Sequence, residues 1–150
     1  GGASVGDHDL VRPALDAVGA ELDFWKVAMR PGKPVTAGKL ADAVVLGLPG
    51  NPVSAYVTAF LFLMPMLRQM SGSKSPFPLK HTAKLEQSLP ANGPRANFIR
   101  ALVRGDSIAP LPSRDSAILT ALSAANALIY RPISAAKAEA GDFAEYFALG

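Results

Sequence analysis

Gly47-Leu48-Pro49-Gly50-Asn51-Pro52-Val53-Ser54-Ala55 is the stretch that decides the fold of this chain. An uninterrupted apolar run, 43–48, enters it, and a long apolar segment with helical character, 53–70, leaves it. The run reads as a strand buried on both faces, as a central strand of an α/β sheet is. Asn51 suits the N-cap, because its side-chain oxygen can accept from the free amides of a first helical turn. Pro52 suits the first helical position, where a missing N–H is no loss. The amides and positive dipole end of such a strand–loop–helix corner face whatever lies beyond the strand. In open α/β sheets that is where anionic ligands bind. Any strand-to-helix joint needs some such turn, so this corner alone does not establish a ligand.

Upstream, 35–39 pairs with 43–48 as a hairpin around 40–42. Arg30-Pro31-Gly32-Lys33-Pro34 precedes it: two prolines stiffen the backbone while Arg30 and Lys33 supply donors, a combination suited to an anion. A solvated basic turn is the plain alternative. Residues 21–29 read as one strand, with Leu22 and Phe24 sharing a face with Lys26, and Trp25, Val27 and Met29 on the other. Lys26 either snorkels at the strand end or points into a site. A helix over 10–18 puts Leu10, Ala14, Leu15 and Val18 on one face, with Pro13 inside its first turn and Gly19 as its stop. Before it lies a glycine-rich loop, Gly1-Gly2-Ala3-Ser4-Val5-Gly6-Asp7-His8-Asp9. Gly2 and Gly6 permit close backbone approach to a ligand and Ser4 adds a hydroxyl. Its spacing matches neither standard phosphate loop, and Asp7 and Asp9 have a simple reading as caps of the next helix. Such a loop normally follows a strand, so the chain is expected to be a piece of something longer.

Downstream, the apolar segment runs to Met70, with Pro65 expected to kink it and Ser71-Gly72 to stop it. It reads as a buried helix whose apolar surface is too broad for one sheet face, which favours burial against a second subunit. A small, polar, proline-bearing linker follows. Beyond it come short β-like runs at 81–85, 97–104, 127–131 and 143–149, turns at Asn92-Gly93-Pro94, Gly105-Asp106 and Gly141-Asp142, and a short helix over 116–125. A small open sheet or β-barrel is the natural reading.

Composition narrows the function classes. The 150 residues are 49% hydrophobic and 18% charged, enough to bury a core. No uncharged apolar run reaches the ~18–20 residues of a membrane span, and the opening lacks a basic region followed by an apolar one. The absence of cysteine excludes disulfides and thiolate metal sites and fits a cytoplasmic protein. Between residues 68 and 104 seven basic side chains face one acid, Glu86, which favours an anionic partner. Aromatic residues there are too few for a nucleic-acid stacking array. His8 and His81 show no zinc spacing, and nothing sets a triad geometry for Ser4, His8 and Asp9. If the loops at 1–9, 30–34 and 47–52 converge at one edge of a parallel-type sheet, they offer amides, Ser4, Lys26, Arg30 and Lys33 to an anion. Asp7 and Asp9 are then available to Mg²⁺, which prefers carboxylates beside phosphate oxygens.

GGASVGDHD, FWKVAMRPGKP and GLPGNPVSA, in this order and spacing, closely resemble the MoeA-type molybdopterin molybdenumtransferases, relatives of the gephyrin E domain. RANFIRA and SAANALIYRP extend the resemblance over the whole chain. It implies the C-terminal part of a MogA-like α/β domain over 1–72, a linker at 73–78 and a small β-barrel domain over 79–150. It implies a Mg²⁺-dependent enzyme of molybdenum-cofactor synthesis that inserts molybdate into adenylylated molybdopterin and releases AMP. The implied protein is a cytoplasmic homodimer with a MogA-type adenylyltransferase as partner, and with neither a nucleic-acid nor a membrane role. By position, Asp9 and Lys26 are the catalytic pair and Asp9 the Mg²⁺ ligand. Gly2, Ser4, Gly6, Asp7, Arg30, Lys33, Pro49, Asn51, Pro52, Arg95 and Ser116 contact substrate. The family often has lysine at position 30, and arginine there changes the hydrogen-bond fork. An acidic Thr-Gly-Asp-type segment of the family is missing from this sequence. A non-enzymatic scaffold of the gephyrin type is the alternative, although it would not need Asp9, Lys26, Lys33 and the GLPGNP loop.

Overall fold

The computed structural model describes residues 10–24, 27–112 and 124–149. The chain divides into two units, Gly1–Pro76 and Phe77–Gly150. The first is an α/β unit and the second a β-barrel.

In the first unit, α1 (Val11–Ala17) ends as its sequence dictates. Gly19 takes φ +78°, its amide donates to Asp16 O, and the Ala20 amide donates to Leu15 O. This is the Schellman pattern, which satisfies the last carbonyls of a helix. The N-cap falls on Leu10, which makes no side-chain cap hydrogen bond; Asp7 and Asp9, the expected caps, lie outside the described residues. No described side chain of α1 is buried, and Leu10 and Val18 are both exposed.

The strand expected over 21–29 is shorter. β1 (Glu21–Phe24) and β2 (Met29–Arg30) are separate, because the Met29 amide turns back to Val27 O at 2.8 Å. β3 (Thr36–Leu40) and β4 (Ala43–Gly47) form the expected hairpin, turned by Ala41 at φ +50°. The sheet order is β1-β3-β4, antiparallel throughout. The parallel-type arrangement is therefore corrected. Gly38 explains how closely β1 lies on β3, since a Cβ there would sit 2.2 Å from Glu21 O. β3, not β4, is the central strand, with Thr36 and Gly38 buried; β4 is an edge whose Val44 is 50% exposed. Its two-faced apolar pattern suits a central strand, but no described strand of this chain lies on its other side.

The helix Pro52–Met70 is continuous over 19 residues. It comprises α2 (Pro52–Thr58), a π-helical stretch (Ala59–Leu63) and α3 (Met64–Met70). The π stretch ends two residues before Pro65, and a wide turn of this kind accommodates a proline that can neither donate nor tolerate the carbonyl four residues before it. Gly72, at φ +80°, ends α3 with a second Schellman pattern, Ser73 N–H to Arg68 O. Only Val57, Thr58 and Pro65 are buried, whereas Tyr56, Met64, Leu67 and Met70 are exposed. Within this chain the helix is therefore not buried as its composition suggests. By length and composition alone it would also suffice to cross a membrane.

The second unit closes five strands into a ring: β5 (Lys80–Leu85), β6 (Ala96–Arg104), β7 (Ser107–Pro110), β8 (Ala127–Arg131) and β9 (Phe143–Ala148). The ring order β6-β7-β5-β9-β8 is closed by β8 on β6, and only the β5–β7 pair is parallel. Small residues make so narrow a barrel possible. Ala83, Ala101, Ala127 and Ala144 line the interior with Leu85, Ile108 and Ile129. Asn126 extends the β6–β8 ladder with its side chain, accepting from Val103 N–H at 2.8 Å and donating to Val103 O at 3.0 Å. Strand β7 was not expected from sequence. The short helix over 116–125 falls almost wholly outside the described residues.

Candidate functional site

The register of the antiparallel sheet assembles the site. Thr36 at the start of β3 pairs with Gly47 at the end of β4. The 30–34 loop that feeds β3 and the 48–52 corner that leaves β4 therefore sit at the same end of the sheet. β1 runs toward that end too, with Phe24 opposite Ala37. Two loops separated in sequence are thus brought together by strand pairing, with no parallel crossover needed.

The corner is built as the sequence predicts. Asn51 Oδ1 accepts from Val53 N–H at 3.0 Å and Ser54 N–H at 3.2 Å, and Pro52 occupies the first helical position. The Ala55 amide bonds to Asn51 O at 2.8 Å. These bonds revise one expectation: the first-turn amides are satisfied by the cap itself, so the corner offers a ligand its dipole field rather than unclaimed donors. Pro49 is buried and forms wall, while Asn51 and Pro52 are exposed at the rim.

The basic loop is anchored on the helix. Gly32 is buried at φ +125°, and a Cβ there would meet Thr58 Cγ2 at 2.6 Å and Met29 Cε at 3.1 Å. Thr58 is 0% exposed; its Oγ1 donates to Ser54 O at 2.7 Å and also approaches Ala55 O at 3.1 Å. Both peptide bonds into the loop's prolines, Arg30–Pro31 and Lys33–Pro34, are cis. Arg30 and Lys33 flank Gly32 and are exposed. Among the described residues neither has an ion-pair partner. No acid occupies the first turn of the helix. Two cations and a helix N-terminus at one sheet end make a positive field suited to a compact oxyanion. Thr36, also at this end, has a buried Oγ1 without a hydrogen-bond partner among the described residues.

Arg30, Lys33, Pro49, Asn51 and Pro52 are thus brought together. Gly2, Ser4, Gly6, Asp7, Asp9, Lys26 and Ser116 lie outside the described residues. Arg95 belongs to the second unit, half-buried before β6, where its carbonyl accepts from Asn92 Nδ2 at 2.9 Å. Among the described residues no group of three or more acids and histidines could hold a metal. Sequence reasoning missed Gly32, Met29 and Thr58 as the anchor of the basic loop. The available signal was a glycine held between two prolines, where a positive φ is a natural demand.

Several of the basic side chains between 68 and 104 are engaged within the fold. Arg68 reaches Pro76 O at 3.4 Å, Lys80 pairs with Glu145 at 3.1 Å and lies over Tyr130, and Lys84 lies over Phe143. Phe98 packs with Tyr130 and Phe147 as a cluster rather than a stacking ladder.

Comparison with known proteins agrees with this two-part architecture. Residues 1–69 match the family model described as a probable molybdopterin binding domain, and residues 82–149 match the MoeA C-terminal region, domain IV. A molybdopterin molybdenumtransferase of Bacillus subtilis is 37% identical over 136 residues, covering 88% of this chain and 32% of the relative. The Haemophilus influenzae protein of the same name is 47% identical over 74 residues, covering 49% of this chain and 18% of the relative. The chain thus spans a third or less of the length of these curated relatives. A solved molybdopterin biosynthesis MoeA protein of Pyrococcus horikoshii superposes with TM-score 0.82 at 24% identity, over 95% of this chain and 35% of that one. A Pyrococcus furiosus molybdenum cofactor biosynthesis protein gives 0.75 at 24% identity, over 95% and 55%. At that identity the two structures bear on the fold alone.

Proposed function

The chain belongs to the MoeA-type molybdopterin molybdenumtransferase family, and from that membership we propose that it forms part of the active site of an enzyme of molybdenum-cofactor synthesis. The reaction is insertion of molybdate into adenylylated molybdopterin with release of AMP. The observation that carries this reading is the Thr36–Gly47 register, which sets the cationic 30–34 loop beside the Asn51-capped helix at one sheet end. Both substrates are anions, and at this end two cations without an ion-pair partner among the described residues meet a helix dipole.

In this reading Arg30 and Lys33 hold molybdate or pterin phosphate, Pro49 and Pro52 shape the wall, and Asn51 keeps the helix start closed. Gly2, Ser4, Gly6 and Asp7 line the phosphate side. Asp9 holds Mg²⁺ and Lys26 assists at the reacting group. The same membership gives Arg95 and Ser116 roles in anion contact. A homodimer is supported by the exposed apolar face of the helix Pro52–Met70. A cytoplasmic location and a MogA-type adenylyltransferase partner complete the proposal.

The test is AMP release by the full-length polypeptide containing this chain, incubated with adenylylated molybdopterin, molybdate and Mg²⁺. AMP release that is lost in Asp9→Asn and Lys33→Ala is expected. No release, or indifference to both substitutions, overturns the reading.

A further inference from the structure

We propose that Thr58 is a positioning residue for the anion site: its γ-methyl holds the 30–34 loop against the helix and so fixes Arg30 and Lys33 beside the helix start. The inference rests on reading that loop as anion-binding, and it assigns a role to a side chain that would itself touch no ligand.

Three contacts carry it. First, Gly32 is clamped on two sides, with no room for a Cβ between Thr58 Cγ2 at 2.6 Å and Met29 Cε at 3.1 Å. Thr58 and Met29 are 0% and 2% exposed, so the clamp lies in the close-packed interior, where a gap of even a methyl group is felt. Second, the Thr58 rotamer is locked, because its hydroxyl donates to Ser54 O at 2.7 Å. With the hydroxyl held on its own helix, the methyl is the part of the side chain that meets the loop. Third, Ser54 is the residue whose amide Asn51 caps at 3.2 Å. A continuous path therefore runs from the cap through Ser54 and Thr58 to Gly32, and the two cations flank its last member. Pro31 and Pro34 restrict the backbone on both sides of Gly32. A shift at Gly32 is therefore passed to Arg30 and Lys33 rather than absorbed between them.

The two functional groups of Thr58 can be removed one at a time. Thr58→Ser keeps the hydroxyl bond and deletes the methyl; Thr58→Val keeps the methyl and deletes the hydroxyl. A purely structural role tied to the hydrogen bond makes Val the worse variant, whereas positioning through the methyl makes Ser the worse one. The measurements are titration calorimetry of the purified chain with pyrophosphate and with molybdate, and amide hydrogen exchange at Gly32 and Lys33. The expected result is that Thr58→Ser weakens anion binding about tenfold and speeds exchange at Gly32 and Lys33, with exchange at residues 56–58 unchanged. Thr58→Val stays within about twofold of the parent on both readouts. Equal exchange at Gly32 in the parent and Thr58→Ser, or a larger effect from Thr58→Val, overturns the proposal. If the parent binds neither anion, the anion-site reading fails, and the exchange data still decide whether Thr58 positions the loop.

Discussion

Replacing Asn51 separates the two jobs of the 48–52 corner, helix start and anion field. Asn51→Ala removes the acceptor of two first-turn amides, at 3.0 and 3.2 Å. Asn51 is exposed and water can reach the freed amides, so the loss is expected near the middle of the range for such caps, about 1 kcal/mol. Asn51→Asp keeps the acceptor and adds a negative charge at the positive end of the helix, for a gain of about 0.3–1 kcal/mol at low ionic strength. The same charge stands beside Arg30 and Lys33 and competes with any anion they hold. The corner's two functions therefore move in opposite directions in the aspartate variant: unfolding free energy rises while pyrophosphate or molybdate affinity falls. In the alanine variant stability falls, and the newly freed Val53 and Ser54 amides partly offset the looser helix start as donors to the anion.

Urea unfolding followed by the fluorescence of Trp25, the single tryptophan, reports on the first unit. Circular dichroism follows both units, so the two probes need not coincide. Calorimetric titration gives the affinities, repeated at high salt to confirm that the charge effect is screened. Two results would refute the reasoning. Unchanged stability in Asn51→Ala would mean that the cap seen here contributes nothing. Unchanged or tighter anion binding in Asn51→Asp would mean that no anion sits near this helix end.

Thr36→Val exchanges a buried hydroxyl, unpartnered among the described residues, for a methyl of nearly the same shape. It should stabilise the first unit by about 1 kcal/mol, read as a higher midpoint in the Trp25 urea curve; a lower midpoint would show that the hydroxyl has a partner. Ala127→Leu overfills the barrel opposite Ala101, both residues being 0% exposed. A loss of about 1–3 kcal/mol is expected in circular-dichroism melting, and an unchanged melt would contradict so tight an interior. Met64→Lys with Leu67→Lys places two charges on the exposed face of the helix Pro52–Met70. Light scattering should show weakened self-association with unchanged helicity; a parent chain already monomeric at high concentration would remove that face as a dimer contact.

Local chemistry made some of this architecture legible. Asn51 and Pro52 announce a helix start, and they form one in the expected register. Gly19 and Gly72 announce helix ends, and each takes positive φ and completes a Schellman pattern. Pro65 announces an irregularity and finds it as a π stretch just before it. These signals are local, so they survive whatever the rest of the chain does. Strand β7 (Ser107–Pro110) was invisible because four residues carry no period of their own; it exists because β6 and β5 each pair with it. Burial was the least legible property. The runs at 43–48 and 53–70 have the composition of a central strand and a buried helix, yet β4 is an edge and the helix keeps one apolar side exposed. Composition encodes what a segment is able to bury, whereas burial needs a second surface, which pattern alone cannot supply.

The site shows the same division between local and pairwise information. Arg30 and Lys33 were candidates from their proline-rich loop and Asn51 from its cap, each on local grounds. A parallel-type sheet would bring them together, but the sheet is antiparallel. The convergence follows all the same, from one geometric fact: in a hairpin the residue before the first strand and the residue after the second lie at the same end. The short connection between β3 and β4 closes the opposite end at Ala41 and Asp42, so the 30–34 loop and the 48–52 corner have nowhere else to meet. Strand pairing then sets how far apart the loops begin, and the Gly32–Thr58 contact sets how closely they approach. Neither distance is encoded in the residues that carry the charge. The chemistry of this site is therefore written in Arg30, Lys33 and Asn51, while its geometry is written in Thr36, Gly47, Gly32 and Thr58, residues that no charge or motif count would single out.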